Sequence, residues 1–224
     1  YTDDLSILEA DGMKTVIVNA NSQNRKITRP EDIPEEFAIG IGEDSHRLKS
    51  EAGKIQKLIL GGIKIKNFPA LEAESDGDVI LHALCNAISG ALGGGSLGTY
   101  ATKMCARGIK DSKKYLAEVL KKAAAKNWSV SQCAISIEAA KPRIDSLAPQ
   151  IKKSLSALLK IPSEKIGITA TSGERLTPFG RGEGIRCQAV VLLCNMGARL
   201  AYEHRECANL CTPTMPLKNG GFIV

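Results

Sequence analysis

Aromatic residues make up only 4% of the 224-residue chain, with a single Trp, so the stacking platforms on which single-stranded nucleic acids bind are missing. No apolar run reaches the roughly 20 residues a membrane-spanning helix needs, and no segment repeats. Histidine is scarce, three in all, which makes each position informative. The seven cysteines are odd in number and form no Cys-x-x-Cys pair. Most sit in apolar stretches, where a thiol packs as a small hydrophobe, and they point to a reducing compartment rather than a disulfide framework. The opening Tyr1-Thr2-Asp3-Asp4 has the character of neither a secretory signal nor an Arg-rich transit segment. Because the chain opens on Tyr rather than Met, an upstream part, with any targeting segment it carried, is expected in the full protein.

With 43% hydrophobic residues the chain is long enough for one good core and too short for two complete enzymes. Lys plus Arg outnumber Asp plus Glu by 30 to 24, a net charge of +6. The basic residues are scattered, which suits anionic small molecules better than nucleic acid, and no nucleic-acid or membrane partner is expected.

Residues 1–37 are acidic and polar, with a β-rich run at Lys14–Asn19 and a break at Thr28–Pro34, where Pro30 and Pro34 forbid a continuous helix. A boundary is expected near Glu36. Ala38–Gly42 opens a strand, and Lys57–Lys66 alternates apolar and basic residues as a half-buried hairpin does. Asp76-Gly77-Asp78 then predicts an acidic N-cap for a helix over Val79–Leu92, ended by Gly93-Gly94-Gly95. Asp111–Lys126 reads as an amphipathic helix, acidic at its start and basic at its end. Further strands are predicted at Val130–Glu138, Lys165–Thr171 and Gln188–Asn195, and a helix at Leu147–Leu159. The interleaving predicts an α+β domain, an α/β sandwich whose mixed sheet carries helices on one face, over residues 38–196. Residues 197–224 lack periodicity and read as an extension; His204 within them reads as a surface histidine.

Three segments carry chemistry. Asp44-Ser45-His46 lies on the first strand, where residues two apart share a face and can grip one ion. His82 lies four residues after Asp78 on the predicted helix, so both project from one side near its start. Two imidazoles and a carboxylate leave a tetrahedral metal one open position, the arrangement of catalytic zinc. Taken singly, an Asp-x-His is common and His82 also suits a core position; Asp78 serves either as a helix-start charge or as a partner fixing the ligating tautomer of His82. The third segment, Thr169–Leu176 followed by Gly180-Arg181-Gly182-Glu183-Gly184, sets hydroxyls, Gly-rich backbone and an arginine where they can donate to phosphate, with Glu174 as a hard oxygen ligand for magnesium.

Together, Gly42-Glu43-Asp44-Ser45-His46, Ser75-Asp76-Gly77-Asp78-Val79-Ile80-Leu81-His82-Ala83-Leu84 and Gly180-Arg181-Gly182-Glu183-Gly184-Ile185 resemble, in order and spacing, the signature segments of the 2-C-methyl-D-erythritol 2,4-cyclodiphosphate synthase family. The resemblance implies a lyase of the non-mevalonate isoprenoid pathway, a homotrimer with active sites between subunits. Its substrate is 4-diphosphocytidyl-2-C-methyl-D-erythritol 2-phosphate, whose 2-phosphate attacks the β-phosphorus and releases CMP. By position, Asp44, His46 and His82 bind zinc or another transition metal, and Glu174 binds magnesium or manganese. Thr171, Ser172 and Arg181 contact phosphate, with Glu174, Arg181 and Thr171 as the catalytic set. Ala139, Ala140, Lys141, Pro142 and Arg143 border the cytidine pocket, and Asp78 completes the substrate-binding set.

Three places depart from the pattern, one of them Thr177-Pro178-Phe179, which varies the approach to Gly180-Arg181-Gly182. Glu74 stands where many members have His, and Gly98–Lys103, with Thr102 and Lys103, stands where many have an acidic segment for the erythritol hydroxyls. A non-catalytic trimerising module that binds CMP or metal therefore stays open beside the cyclase. A nucleic-acid binder rests on net charge alone and would show strongly salt-dependent affinity. In residues 1–37, Thr2-Asp3-Asp4, Glu9-Ala10 with Gly12, and Arg25–Asp32 resemble the C-terminal end of the pathway's cytidylyltransferase, with Lys26 matching a substrate-site lysine. A fused, bifunctional enzyme of a bacterial cytoplasm or a plastid stroma is the expectation that follows.

Overall fold

The computed structural model describes residues 8, 10–14, 37–49 and 57–195. They fall in two compact units, one of which holds residues 37–195. The other contributes only residues 8 and 10–14, where the Met13 amide donates to the Leu8 carbonyl. The β-rich run after Lys14, the break at 28–34, the boundary near Glu36, the segments resembling a cytidylyltransferase and the extension at 197–224 with His204, Cys207 and Cys211 lie outside the described residues.

Four strands, β1 (Phe37–Arg47), β4 (Trp128–Glu138), β5 (Ile166–Thr171) and β6 (Gly184–Asn195), form one sheet in the order β1-β6-β4-β5. β6 runs antiparallel to both neighbours, while β4 and β5 are parallel. The sheet is therefore mixed, as the sequence predicts. A separate hairpin pairs β2 (Lys57–Leu60) with β3 (Ile63–Pro69) across a turn at Gly61-Gly62. Four helices complete the unit: α1 (Val79–Ala91), α2 (Gly98–Ala106), α3 (Ser112–Ala125) and α4 (Ile144–Leu159). Helix α4 is the crossover that parallel β4 and β5 require. None of the described helices is long and apolar enough to cross a membrane.

One face of the sheet is the core wall. Ile135, Ile137, Ile166, Ile185, Cys187, Ala189, Val191 and Leu193 are buried there against Leu84 and Ile88 of α1, Tyr115, Leu116 and Val119 of α3, and Ile151 and Leu155 of α4. Cys85, Cys133, Cys187 and Cys194 are buried as free thiols, and burial pushes the Cys85 thiol up to about 12 and Cys133 up to about 11. These are packing groups, not nucleophiles.

The structure departs from the sequence reading at α2, which the sequence does not announce. Gly98, Thr99 and Thr102 are weak helix formers, the N-cap Leu97 offers no side-chain bond, and only Ala101 is buried. Helix α4 begins three residues before the predicted Leu147, so that Pro149 falls inside it.

Helix α1 owes its place to two contacts. Its N-cap Asp78 is fully buried, and the carboxylate accepts from the amides of Ile80 and Leu81 at 3.1 Å and from Gly61 and Gly62 of the hairpin turn at 2.8 and 2.6 Å. Burial pushes this carboxyl upward, against the pull of those backbone donors. Along its length the helix lies directly on β1: a methyl group added at Gly40 or Gly42 would run into the carbonyl oxygens of Ala87 and Ala83. Two side chains are missing at the contact so that two backbones can meet. Gly42→Ala is thus expected to lower stability by about 1–3 kcal/mol and to loosen metal retention, read by chemical denaturation and by metal analysis of the purified variant.

Candidate active site

The inward row of β1 reads Ala38, Gly40, Gly42, Asp44, His46, at the period of two that keeps alternate residues on one face. Its small members seat α1, and its last two members meet the helix at His82. There the Asp44 carboxylate lies 2.8 Å from His82 Nδ1 and 3.0 Å from His46 Nε2, and the two ring nitrogens are 3.4 Å apart. Ligand atoms about 2.0–2.1 Å from a tetrahedral zinc stand about 3.3 Å from one another, so these three atoms fit around one ion. Among the described residues this is the one group of three His, Cys, Asp or Glu side chains so placed. Though burial alone drives the Asp44 carboxyl up, hydrogen bonds from His46 and His82 outweigh it and hold it down at about 2. The same bond to Asp44 raises His46.

Asp44, His46 and His82 open onto a cavity of about 350 Å³, at the small end of ligand-sized pockets. Glu74, Ser75, Asn86, Thr102 and Cys105 also line it. Both Glu74 and Thr102, the departures noted above, therefore face the cavity, whereas Lys103 does not border it. Asp78 does not reach the cavity either. Its carboxylate accepts from the four backbone amides already described, the helix-start role that the sequence offers beside a role at His82. The groups beside His82 Nε2 are instead the hydroxyls of Ser112 at 2.8 Å and Ser75 at 3.2 Å.

The residues expected to handle phosphate stand elsewhere. Thr171 ends β5, and Ser172 to Glu183 form the loop that leads into β6. Gly173, Glu174 and Arg175 take φ values of 64°, 44° and 64° in succession. The last two carry side chains, at a conformational cost of about 1–3 kcal/mol each, and consecutive amides near such left-handed residues make the concave donor arrays that hold anions. Packing enforces the conformation. A methyl on Gly173 would enter the Glu138 carboxylate, and one on Gly180 would lie 2.7 Å from the Gly173 carbonyl oxygen. Thr177 anchors the loop by donating to Glu138 and accepting from the Gly180 amide at 3.0 Å. Arg181, half exposed, donates from Nε to Glu183 at 2.9 Å. Ala139 to Arg143 follow β4, and the amides of Ala139 and Ala140 donate to the Thr171 and Phe179 carbonyls at 3.1 Å each. The segment after β4 and the loop after β5 are thus one assembly.

That assembly and the metal centre lie at the same end of the sheet but on different strands. β1 and β5 are the two edges, three strand spacings or about 14 Å apart. None of Ala139, Ala140, Lys141, Pro142, Arg143, Thr171, Ser172, Glu174 or Arg181 lines the cavity that holds Asp44, His46 and His82.

The sequence pattern of the YgbB family matches residues 37–194, the whole of this architecture. The chain belongs to the YgbB family. Among curated members, the 2-C-methyl-D-erythritol 2,4-cyclodiphosphate synthase of Chlamydia abortus is 40% identical over 158 residues, 70% of this chain and 89% of that one. Among solved structures, a Plasmodium falciparum protein in a CDP complex matches with a TM-score of 0.62 at 31% identity, over 71% of this chain and 97% of its own. A bifunctional protein from Campylobacter jejuni matches with a TM-score of 0.65 at 28% identity, over 87% of this chain and 54% of its own. Within this YgbB domain, sequence reasoning passes over Ser112, Glu138 and the anchoring part played by Thr177. Ser112 reads only as the first residue of a helix, and Glu138 and Thr177 as strand end and loop, because their roles arise from partners 30 or more positions away.

The electrostatics carry a pH dependence. His46 must be neutral to bind a metal and its titration is raised by Asp44, so protons compete for it already above the usual imidazole range. Metal affinity is expected to fall steadily as pH drops from 8 to about 6, read by chelator competition. His82→Ala is expected to abolish stoichiometric metal retention; full retention would remove His82 from the centre.

Proposed function

We propose that the chain is a 2-C-methyl-D-erythritol 2,4-cyclodiphosphate synthase. It closes 4-diphosphocytidyl-2-C-methyl-D-erythritol 2-phosphate into 2-C-methyl-D-erythritol 2,4-cyclodiphosphate with loss of CMP, in non-mevalonate isoprenoid biosynthesis. The observation that carries this reading is the convergence of Asp44, His46 and His82 at the mouth of a cavity, in a YgbB domain 40% identical to a protein of that name. The attacking phosphate is already ionised near neutral pH, so the chemistry needs positioning and charge neutralisation more than a general base. Asp44, His46 and His82 hold a zinc ion or another divalent transition metal. Glu174 offers one carboxylate to magnesium or manganese, which binds through one or two carboxylates and completes its shell with phosphate oxygens and water. When bound, the two ions polarise the attacked phosphoryl group and stabilise the charge that builds on leaving CMP. Thr171 and Ser172 donate hydroxyls to the diphosphate, Arg181 adds a guanidinium with donors still facing solvent, and Ala139, Ala140, Lys141, Pro142 and Arg143 border the cytidine.

One chain leaves the metal centre and the phosphate loop on opposite sheet edges. The reading therefore includes a homotrimer in which the loop of one copy faces the metal centre of the next. The sheet face turned away from the helices supports it. Phe37, Ile39 and Ile41 of β1 are 59%, 72% and 68% exposed, with Val190 of β6 beside Ile41, an apolar patch of the kind that marks an interface. Toward the site end the same face turns polar, where Arg186 grips Glu43 through two nitrogens at 2.9 and 2.8 Å and Gln188 donates to it at 2.9 Å.

The domain plan follows the same reading: residues 1–37 are the end of a cytidylyltransferase-like domain with its linker, 38–196 the cyclase and 197–224 an extension. The match to the bifunctional C. jejuni protein, which takes in more of this chain than the P. falciparum match does, supports a fused enzyme; a bacterial cytoplasm or a plastid stroma is the compartment that the pathway implies. A non-catalytic trimerising module is the second reading, favoured by Glu74 and Thr102 at the cavity wall, since a threonine accepts diol hydrogen bonds less well than a carboxylate.

Purified chain given zinc, magnesium and the cytidylyl substrate is expected to release CMP in step with cyclic diphosphate. A folded, zinc-loaded trimer that binds CMP without turnover would establish the second reading instead. Glu174→Ala is expected to keep its zinc and lose at least about a hundredfold in kcat, the scale on which removing one charge-stabilising group acts. Ile41→Asp is expected to convert trimer to monomer on size-exclusion chromatography, with zinc retained and activity gone.

A further inference from the structure

The hydrogen bonds behind His82 form a directed chain. Ser112, the first residue of α3, is fully buried. Its amide donates to one Asp76 oxygen at 3.0 Å and its hydroxyl donates to the other. Asp76 is itself fixed, its amide donating to the Lys110 carbonyl at 2.9 Å. A serine hydroxyl has one proton, and here that proton is spent on Asp76. Toward His82 Nε2, 2.8 Å away, Ser112 can then only accept. With a metal bound the ring proton must sit on Nε2, and Nδ1, which otherwise donates to Asp44, is the nitrogen left to face the ion beside Asp44 and His46. Ser75, farther off at 3.2 Å and accepting from the Gly77 amide, is compatible with this arrangement but does not impose it, because its own proton remains uncommitted. The Tyr115 ring, its centroid 6.2 Å from that of His82, limits swinging of the imidazole.

We propose that Ser112 and Asp76 are positioning residues for the metal centre: by holding a proton on His82 Nε2 they reserve Nδ1 for the metal and fix the plane of the ring. The inference rests on the reading that Asp44, His46 and His82 bind a metal. It assigns a role to the Asp76 of the Ser-Asp-Gly-Asp segment that the helix start alone does not explain, and it joins α3 to a site otherwise built from β1 and α1. Partners that orient a ligating imidazole commonly change metal affinity by 10–100-fold when removed.

The test uses the full chain and zinc. In nitrogen NMR of the zinc-loaded wild type, His82 is expected to show a protonated Nε2 whose hydrogen exchanges slowly, with Nδ1 coordinated. Coordination through Nε2 would overturn the proposal without any variant. Chelator competition is then expected to show Ser112→Ala binding zinc about 10–100-fold more weakly than wild type, with rapid exchange of the Nε2 proton and a smaller loss in Ser75→Ala. Asp76→Asn keeps the side-chain volume and is expected to weaken zinc in the same direction; it and the wild-type spectrum decide the matter if Ser112→Ala does not fold. Folded variants that bind zinc as tightly as wild type would overturn the relay and leave the metal centre standing. A wild type that takes up no zinc would instead sink the metal reading on which the relay depends.

Discussion

The seating of α1 on β1 is the contact on which everything else rests. Gly40 and Gly42 let a helix backbone lie against a strand backbone, and only at that separation does His82 reach Asp44 and His46, one strand turn further on. Asp78 fixes the remaining freedom, the helix's position along its own axis, by tying its first turn to the β2–β3 turn. A carboxylate that accepts four backbone amides in the dry interior is a structural clamp; its neighbour Asp76 orients. The two acids of one short segment thus serve the same centre from opposite sides.

The sheet divides the labour across its width. In the cyclase reading its β1 edge, with His82 of α1 above it, would hold the metal and its β4–β5 edge would take the nucleotide and phosphates, while β6 lies between with Val190 exposed on its outer face. Parallel β4 and β5 bring Glu138 and Thr171 side by side, so the loop after β5 and the segment after β4 are built together, with Thr177 bridging to Glu138. Left-handed Glu174 and Arg175 follow Gly173, which packs against Glu138 and Gly180 too closely for a side chain. In the cyclase reading, a phosphate loop and a metal centre on opposite sheet edges make copy-to-copy assembly a functional need.

Periodic features were legible from residues alone. The alternation of β1 placed Asp44 and His46 on one face, and the acidic cap before Val79 set His82 one turn into its helix. That the two segments meet was not legible, since the meaning of Gly40 and Gly42 appears only when α1 lies over them. For Asp78 the sequence left a helix-start charge and a partner of His82 both open, because four residues along a helix share a side; the N-cap geometry turns its carboxylate back toward the hairpin. Ser112 was hidden for the opposite reason, being 30 residues from His82 and announced by nothing but a helix start. Helix α2, poor in helix formers and thinly buried, is held by context and carries no periodic signature.

The central claim is that a working site takes its metal ligands from one copy and its phosphate loop from another. Subunit mixing tests it: His82→Ala and Glu174→Ala chains, each inactive alone, are co-expressed and the mixed oligomers assayed for CMP release with zinc and magnesium present. Recovery of a substantial fraction of wild-type activity is the predicted result, because mixed assemblies contain interfaces with both halves intact. Folded, mixed oligomers with no recovery would contradict it and place the two halves of the chemistry in a single chain.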